Sequence, residues 1–344
     1  MITIKDIAKE SGYSVGTVSR VLNGRTNVSE AAREKIVAVV DKYNFRLNEN
    51  AKLLKQQSTH SIAVIVKGTQ NMLFADIIER LQNMIEEKEY DFSIFYLAEQ
   101  ENEVSFARRI CREKKPEGIL FLGCDLDLFK GEFRGIEIPC VLVTNDGSEL
   151  SFENVSSVST DDRKAAEFVI DHLVEAGHKR IGVIGGDMRF STASRYRFDG
   201  CCDAFRKHGL SFDQYVQYET GYFSLESGYN AATRLLRKMP DVTAIFAMSD
   251  VTAIGTIRAA ADRNIKVPDE LTVIGFDGIE IADYMIPRLT TVRQNRQAIA
   301  EKSIELILGM IERKHGAVHM TVPFTIVKGA SMKTLEQKTS DSDQ

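Results

Sequence analysis

From Ser61 onward the chain sets short apolar runs against longer helical patterns, and that alternation narrows the architectures open to it. Ile62–Val66 is followed by a helical pattern from Phe74 to Lys88 and then by Phe92–Tyr96. Short apolar runs separated by stretches long enough for a helix predict parallel strands joined by crossover helices. The rhythm continues through Gly118–Leu122 and Cys140–Val143, restarts at Arg180–Gly185, and recurs at Thr243–Phe246 and Leu271–Gly275. One rhythm that restarts implies two doubly wound α/β halves. Parallel sheets place ligands at the carboxyl ends of their strands, so two facing halves create a cleft there.

The first sixty residues follow a different pattern. Ser14 can cap a short helix that runs to Leu22, with Gly24 positioned to end it. At about 100° per residue, Val18, Val21 and Leu22 share one side, while Val15, Gly16, Ser19 and Arg20 share the other. One face packs and the other can read a groove. Upstream, Thr3 and Asp6 have the spacing of a helix start, Ile4, Ile7 and Ala8 supply an apolar face, and Gly12 closes the helix. A third helix opening at Ser29 and Glu30 is expected to cover the first two with Ile36, Val37, Val40 and Tyr43. This spacing fits a DNA-binding helix-turn-helix, although such helix pairs also occur as plain packing units.

Charge divides along the same line. The chain of 344 residues carries a net −5, yet up to Gln57 there are ten Lys and Arg against six Asp and Glu, and beyond it 34 against 43. A basic head on an acidic body suits a protein whose head neutralises phosphates. The length predicts two or three domains. The segment from Met1 has neither a basic start followed by an apolar run nor a membrane span, so a cytoplasmic protein is expected. Five cysteines (111, 124, 140, 201 and 202) show no metal-ligand spacing and are expected to be reduced. No metal, cofactor or catalytic set is indicated. Gly182, Gly185 and Gly186 approximate a nucleotide loop without its spacing or its lysine, and His172, His178 and His208 are scattered.

The strings Thr3–Glu10 and Ser14–Gly24 closely resemble the headpiece of the lactose and galactose repressor family. The resemblance extends to about Ser331 through Gly177–Gly182, Val267–Asp277 and Pro287–Gln294. It implies a ligand-responsive transcriptional regulator, a repressor of a carbohydrate-utilisation operon, that binds a pseudo-palindromic operator as a homodimer. The implied fold is a small all-α headpiece on a periplasmic-binding-protein-like body. The implied domains are a headpiece at 1–46, a hinge helix and linker at 47–60, an effector and dimerisation domain at 61–331, and a polar tail at 332–344. Within the body, 61–160 and 292–321 would form one subdomain and 161–289 and 322–331 the other, with crossings near Thr160, Leu289 and Val322. The tail lacks leucine heptads, which favours a dimer over a tetramer.

The resemblance also implies residue roles. DNA contacts fall on Thr3, Ser14, Val15, Gly16, Thr17, Ser19, Arg20, Asn23, Asn48 and Leu54, with Leu54 at the place of a leucine that wedges into the minor groove. Leu47 stands where the family usually has proline. Effector contacts fall on Asn71, Met72, Leu73, Thr144, Ser191, Arg197, Phe223, Ser249 and Asp277. Arg197 can fork two hydrogen bonds onto vicinal hydroxyls or a carboxylate, and Asp277 can accept from another hydroxyl. Both could instead serve a structural ion pair or a helix end, Phe223 could be core, and Asn71 to Leu73 could cap a helix. Gly68, Thr144 and Ser249 depart from the family pattern. The effector is expected to be a small polar molecule, a sugar or sugar derivative, with a purine, an amino acid or a phosphorylated partner as alternatives. An exported sugar receptor and an α/β enzyme are the rival classes. The headpiece and the lack of an export signal disfavour the first, and the lack of a convergent catalytic set disfavours the second.

Overall fold

A computed structural model describes residues 4–22, 28–43, 60–68 and 71–335. These residues form two units, the helices up to Tyr43 and the chain from His60 onward. The first holds α1 (Ile4–Ser11), α2 (Val15–Leu22) and α3 (Glu30–Lys42). Gly12, at φ +76, turns the chain out of α1 as only glycine does without strain. Ser14 caps α2 by accepting from the Thr17 amide at 3.2 Å. Ile7, Ala8, Val18, Val21 and Ile36 close a small core, with Tyr13, Leu22, Val28, Val39 and Val40 against it. Two expected members of α3 are not in this core: Val37 and Tyr43 are exposed, and Ala32 and Val39 take their place. Val37 lies one residue, or about 100°, past the fully buried Ile36, and therefore faces outward.

The second unit contains two six-stranded sheets. The first orders its strands β11 (His319–Val322), β5 (Val155–Thr160), β4 (Cys140–Val143), β3 (Gly118–Leu122), β1 (Ser61–Lys67) and β2 (Asp91–Leu97), all parallel. The second runs β12 (Thr325–Val327), β10 (Thr290–Arg293), β9 (Thr272–Asp277), β8 (Ala244–Ala247), β6 (Ile181–Gly185) and β7 (Tyr218–Thr220). Its pairs are parallel except β10 with β12. Every residue of β3, β4, β6, β8 and β9 is buried, as helices on both faces require.

The chain crosses between the sheets after β5, after β10 and between β11 and β12. The second crossing therefore follows Arg293, beyond the Leu289 expected from sequence, because Thr290–Arg293 pairs with β9 and belongs to the second sheet. The polar tail also starts later than expected. Met332 packs on the second core, and the amides of Lys333 and Leu335 donate to Thr272 Oγ1 and the Ala176 carbonyl at 3.1 and 2.8 Å. All five cysteines are unpaired. No helix among the described residues is long and apolar enough to cross a membrane.

Candidate effector cavity and DNA-reading helix

A cavity of about 300 Å³ opens at the carboxyl ends of both sheets, lined by both halves of the second unit. Lys67 lines it from the end of β1, and Glu99, Gln100, Thr144 and Asn145 from the loops that follow β2 and β4. Asp187, Ser191, Arg197, Phe223, Asp277 and Gln294 line it from the other half. Phe74, Phe190 and Tyr222 add aromatic surface. Most groups sit on loops just past a strand end because parallel strands all deliver their carboxyl termini to one side.

Seven of the nine residues expected at the effector site line the cavity: Asn71, Leu73, Thr144, Ser191, Arg197, Phe223 and Asp277. Asn71 and Ser191 are also helix caps, accepting from the amides of Leu73 and Ser194 at 3.0 and 3.2 Å. Ser249 and Met72 are absent from the lining. Ser249 is buried and caps the helix Asp250–Ala261, accepting from the Thr252 amide, while Met72 is exposed. Helix capping thus claims the Ser249 hydroxyl, and the turn that starts the helix Met72–Glu86 carries Met72 outward.

Arg197 is nearly fully buried, and its guanidinium is committed in part. Nε donates to Asp162 Oδ1 at 2.8 Å, a second nitrogen donates to the Met248 carbonyl, and the group lies 3.6 Å from the centre of the Phe276 ring. Burial outweighs this pairing and holds the Asp162 carboxyl above the usual aspartate range. Arg197 is therefore both a buried ion-pair partner and a cavity residue. Phe223 lies over Gly186, where a Cβ would come within 2.9 Å of the ring, so the glycine makes room for the aromatic wall.

Asp277 ends β9 at φ +114, a conformation rarely adopted by a residue with a side chain. Two hydrogen bonds from Gln294 hold it there. Gln294 donates to Asp277 Oδ1 at 2.8 Å, and the Gln294 amide donates to the Asp277 carbonyl at 3.1 Å. Buried Asp250 then fixes the next turn, accepting from the Ile279 amide at 2.8 Å and the Thr291 hydroxyl at 2.5 Å. Burial pushes Asp277 up to about 7, with the Arg197 charge opposing, and burial followed by the Asp277 charge raises Asp250 well above its ordinary range. Thr144, at φ +74, is a second strained residue on the cavity wall.

Sequence reasoning passed over Lys67, Glu99, Asp187, Tyr222 and Gln294. Their signal was position: each follows or ends a strand whose apolar run was legible, or, for Tyr222 and Gln294, a short strand that was not. Lys67 pairs with Glu103 at 2.7 Å, both side chains being buried, and Glu103 also accepts from the Asp125 amide at 2.6 Å. Among the described residues no group of histidine, cysteine and carboxylate side chains has metal-ligand geometry.

In the helical unit, Val15, Gly16 and Arg20 are exposed on α2, Ser14 is exposed before it, and Thr17 and Ser19 are half-buried beside them. Val18 and Val21 are buried on the opposite side. Thr3, Asn23, Asn48 and Leu54 lie outside the described residues.

A helix-turn-helix unit in the same chain as a two-sheet body with a ligand-sized cleft defines a ligand-responsive DNA-binding regulator. Residues 3–48 match the family described as bacterial regulatory proteins, lacI family, and residues 170–332 match the periplasmic binding protein-like domain. The HTH-type transcriptional regulator MalR of Clostridium butyricum is 33% identical over 327 residues, covering 91% of this chain and 95% of that one. The ribose operon repressor of Haemophilus influenzae is 27% identical over 313 residues, covering 91% and 92%. The fold matches the crystal structure of the lac repressor dimer bound to operator and an anti-inducer, with a TM-score of 0.72 at 21% identity over 96% of this chain and 99% of that one. The chain belongs to the lacI family of bacterial regulatory proteins and is a DNA-binding transcriptional regulator, not an enzyme.

Proposed function

We propose that this regulator is a cytoplasmic repressor of a carbohydrate-utilisation operon, binding a pseudo-palindromic operator as a homodimer and responding to a sugar in the cleft. One observation carries the ligand reading: a cavity lined from both halves of the body, in which polar side chains converge beside Phe74, Phe190, Tyr222 and Phe223. Flat rings suit the C–H faces of a sugar, and carboxylates, amides and an arginine suit its hydroxyls. The name of the ribose operon repressor among its relatives supports the same class.

The mechanism is linkage. A ligand that touches both halves favours one angle between them, and the three crossings are where that angle changes. Operator contacts would come from Ser14 to Arg20 on α2 and from Thr3, Asn23, Asn48 and Leu54, with 47–60 as the hinge that joins head to body. About 1–3 kcal/mol of coupling is enough to change operator occupancy several-fold or more. The test pairs a thermal-shift screen of sugars, sugar phosphates, purines and amino acids with a gel shift on the DNA upstream of the gene. A sugar hit that changes operator affinity is expected. A hit confined to purines or amino acids would replace the carbohydrate reading.

A further inference from the structure

We infer that Glu99 sets the charge preference of the cavity, accepting hydrogen bonds from an uncharged or amine-bearing ligand and excluding anionic ones, phosphorylated and carboxylate sugars included. The inference rests on the reading of this cavity as the effector site.

Among the described residues two cations line the cavity, and each already has a carboxylate. Lys67 is paired with Glu103 at 2.7 Å and Arg197 with Asp162 at 2.8 Å, all four side chains being at most 6% exposed. An approaching anion meets each cation together with its counter-charge, so little net attraction is left. The three lining carboxylates are balanced less completely. Asp187 is paired with the exposed Arg189, and its carboxyl is held below the usual range by those hydrogen bonds. Among the described residues the Asp277 carboxyl accepts from the neutral amide of Gln294, with the Arg197 charge opposing its burial.

Glu99 differs from both. It is half-buried on the loop after β2, and no described residue donates a hydrogen bond to it. Burial raises its carboxyl, and Asp187 from the other half raises it further, against a lowering by Lys67. A half-buried carboxylate without a donor is stabilised by a ligand that supplies one, such as a hydroxyl pair or an ammonium group. A second anion within about 5 Å is disfavoured on the order of a hundred-fold at an effective dielectric near 20.

The test uses the full chain, native and Glu99→Gln, at constant ionic strength. Inorganic phosphate, glucose 6-phosphate and glucuronate are titrated beside glucose and glucosamine, with thermal shift and calorimetry as readouts. Native protein is expected to show no saturable stabilisation by the three anions, and Glu99→Gln to bind phosphate at least about tenfold more tightly than native. Glu99→Ala should repeat that gain, which guards against a folding artefact in one variant. Saturable anion binding by the native chain that Glu99→Gln leaves unchanged overturns the inference. So does a Glu99→Gln protein that excludes phosphate as fully as native. Silence of glucose and glucosamine counts against the carbohydrate reading instead, because the phosphate arm reports on Glu99 without them.

Discussion

The side-chain amide of Gln294 donates to Asp277 Oδ1 at 2.8 Å, joining the cavity wall to the crossing between the two sheets. The other end of the same amide accepts from the Thr160 hydroxyl at 2.9 Å, and Thr160 is the last residue of β5 in the first sheet. One buried side chain thus links a carboxylate that lines the cavity, the end of the first crossing strand and the start of the second crossing. A ligand that competes for Asp277 would disturb a group that both sheets hold.

Gln294→Leu is expected to lower the melting temperature by several degrees. The substitution leaves the buried Asp277 carboxyl and the Thr160 hydroxyl without this partner, at about 1–3 kcal/mol for each buried group left unpaired. Thr160→Val, which removes one bond and its donor together, should cost less. Scanning fluorimetry on the two variants decides it, and an unchanged melting temperature for Gln294→Leu contradicts the bridging role.

Asp277 also makes stability depend on pH. Its folded-state value is about 7 against an ordinary 3.8. Between those values the folded state holds the proton more firmly than the unfolded chain, so this contribution is full below the ordinary value and is lost as pH rises through about 7. Asp277→Asn cannot lose a proton there and removes the charge that raises Asp250. Its melting temperature relative to native should therefore climb from about pH 5 to about pH 8. The altered bond to Gln294 offsets the variant at every pH, which is why the slope and not the size is read. A pH-independent difference would place the raised proton affinity elsewhere.

The parts of this fold that were legible in the sequence are those whose strands are apolar. Ile62–Val66, Gly118–Leu122 and Leu271–Gly275 declare themselves, and so do the amphipathic helices of the head. Strand β5, Val155–Thr160, does not, although all six of its residues are buried. Four of them are Ser or Thr, and no periodicity shows that the hydroxyls of Ser156, Ser157 and Thr160 find partners inside, whereas Ser159 Oγ is buried without one among the described residues. Ser156 Oγ accepts from the Val318 amide at 2.9 Å, and Ser157 Oγ accepts from the Gly147 amide at 3.0 Å. The cavity was half legible for a related reason. Arg197 and Asp277 stand in recognisable strings, whereas Lys67 and Glu99 are marked only by ending or following a strand, a property that tertiary structure creates.

In the head, exposed and buried residues alternate along α2, and a role in reading DNA can be separated from packing. Arg20 is exposed on α2 and can present a guanidinium fork to a guanine edge, so Arg20→Ala should cost about 1–3 kcal/mol of operator affinity and relax one base position. Its melting temperature should match native. Ile36→Ala is the converse, emptying a fully buried site at about 2–5 kcal/mol of head stability. Operator titration and circular dichroism on both variants test the division. Loss of folding in Arg20→Ala would move Arg20 to the packing face.

Arg197 demands a more careful experiment, since its removal does two things at once. Arg197→Ala removes a guanidinium from the cavity wall and also strands Asp162, a buried carboxylate that already sits above its ordinary range. Breaking a buried pair from one side costs about 3–5 kcal/mol, so a poorly folded variant would say nothing about ligand binding. Neutralising both partners separates the effects. Asp162→Asn with Arg197→Gln removes both charges and keeps groups that can hydrogen-bond, and is expected to melt higher than either single variant. If Arg197 contacts the effector, the double variant should still bind it weakly or not at all while operator binding survives. A double variant that binds the screened sugar as tightly as native would assign Arg197 to the ion pair alone, and the ligand contacts in this half would then fall to Asp187, Phe223 and Asp277.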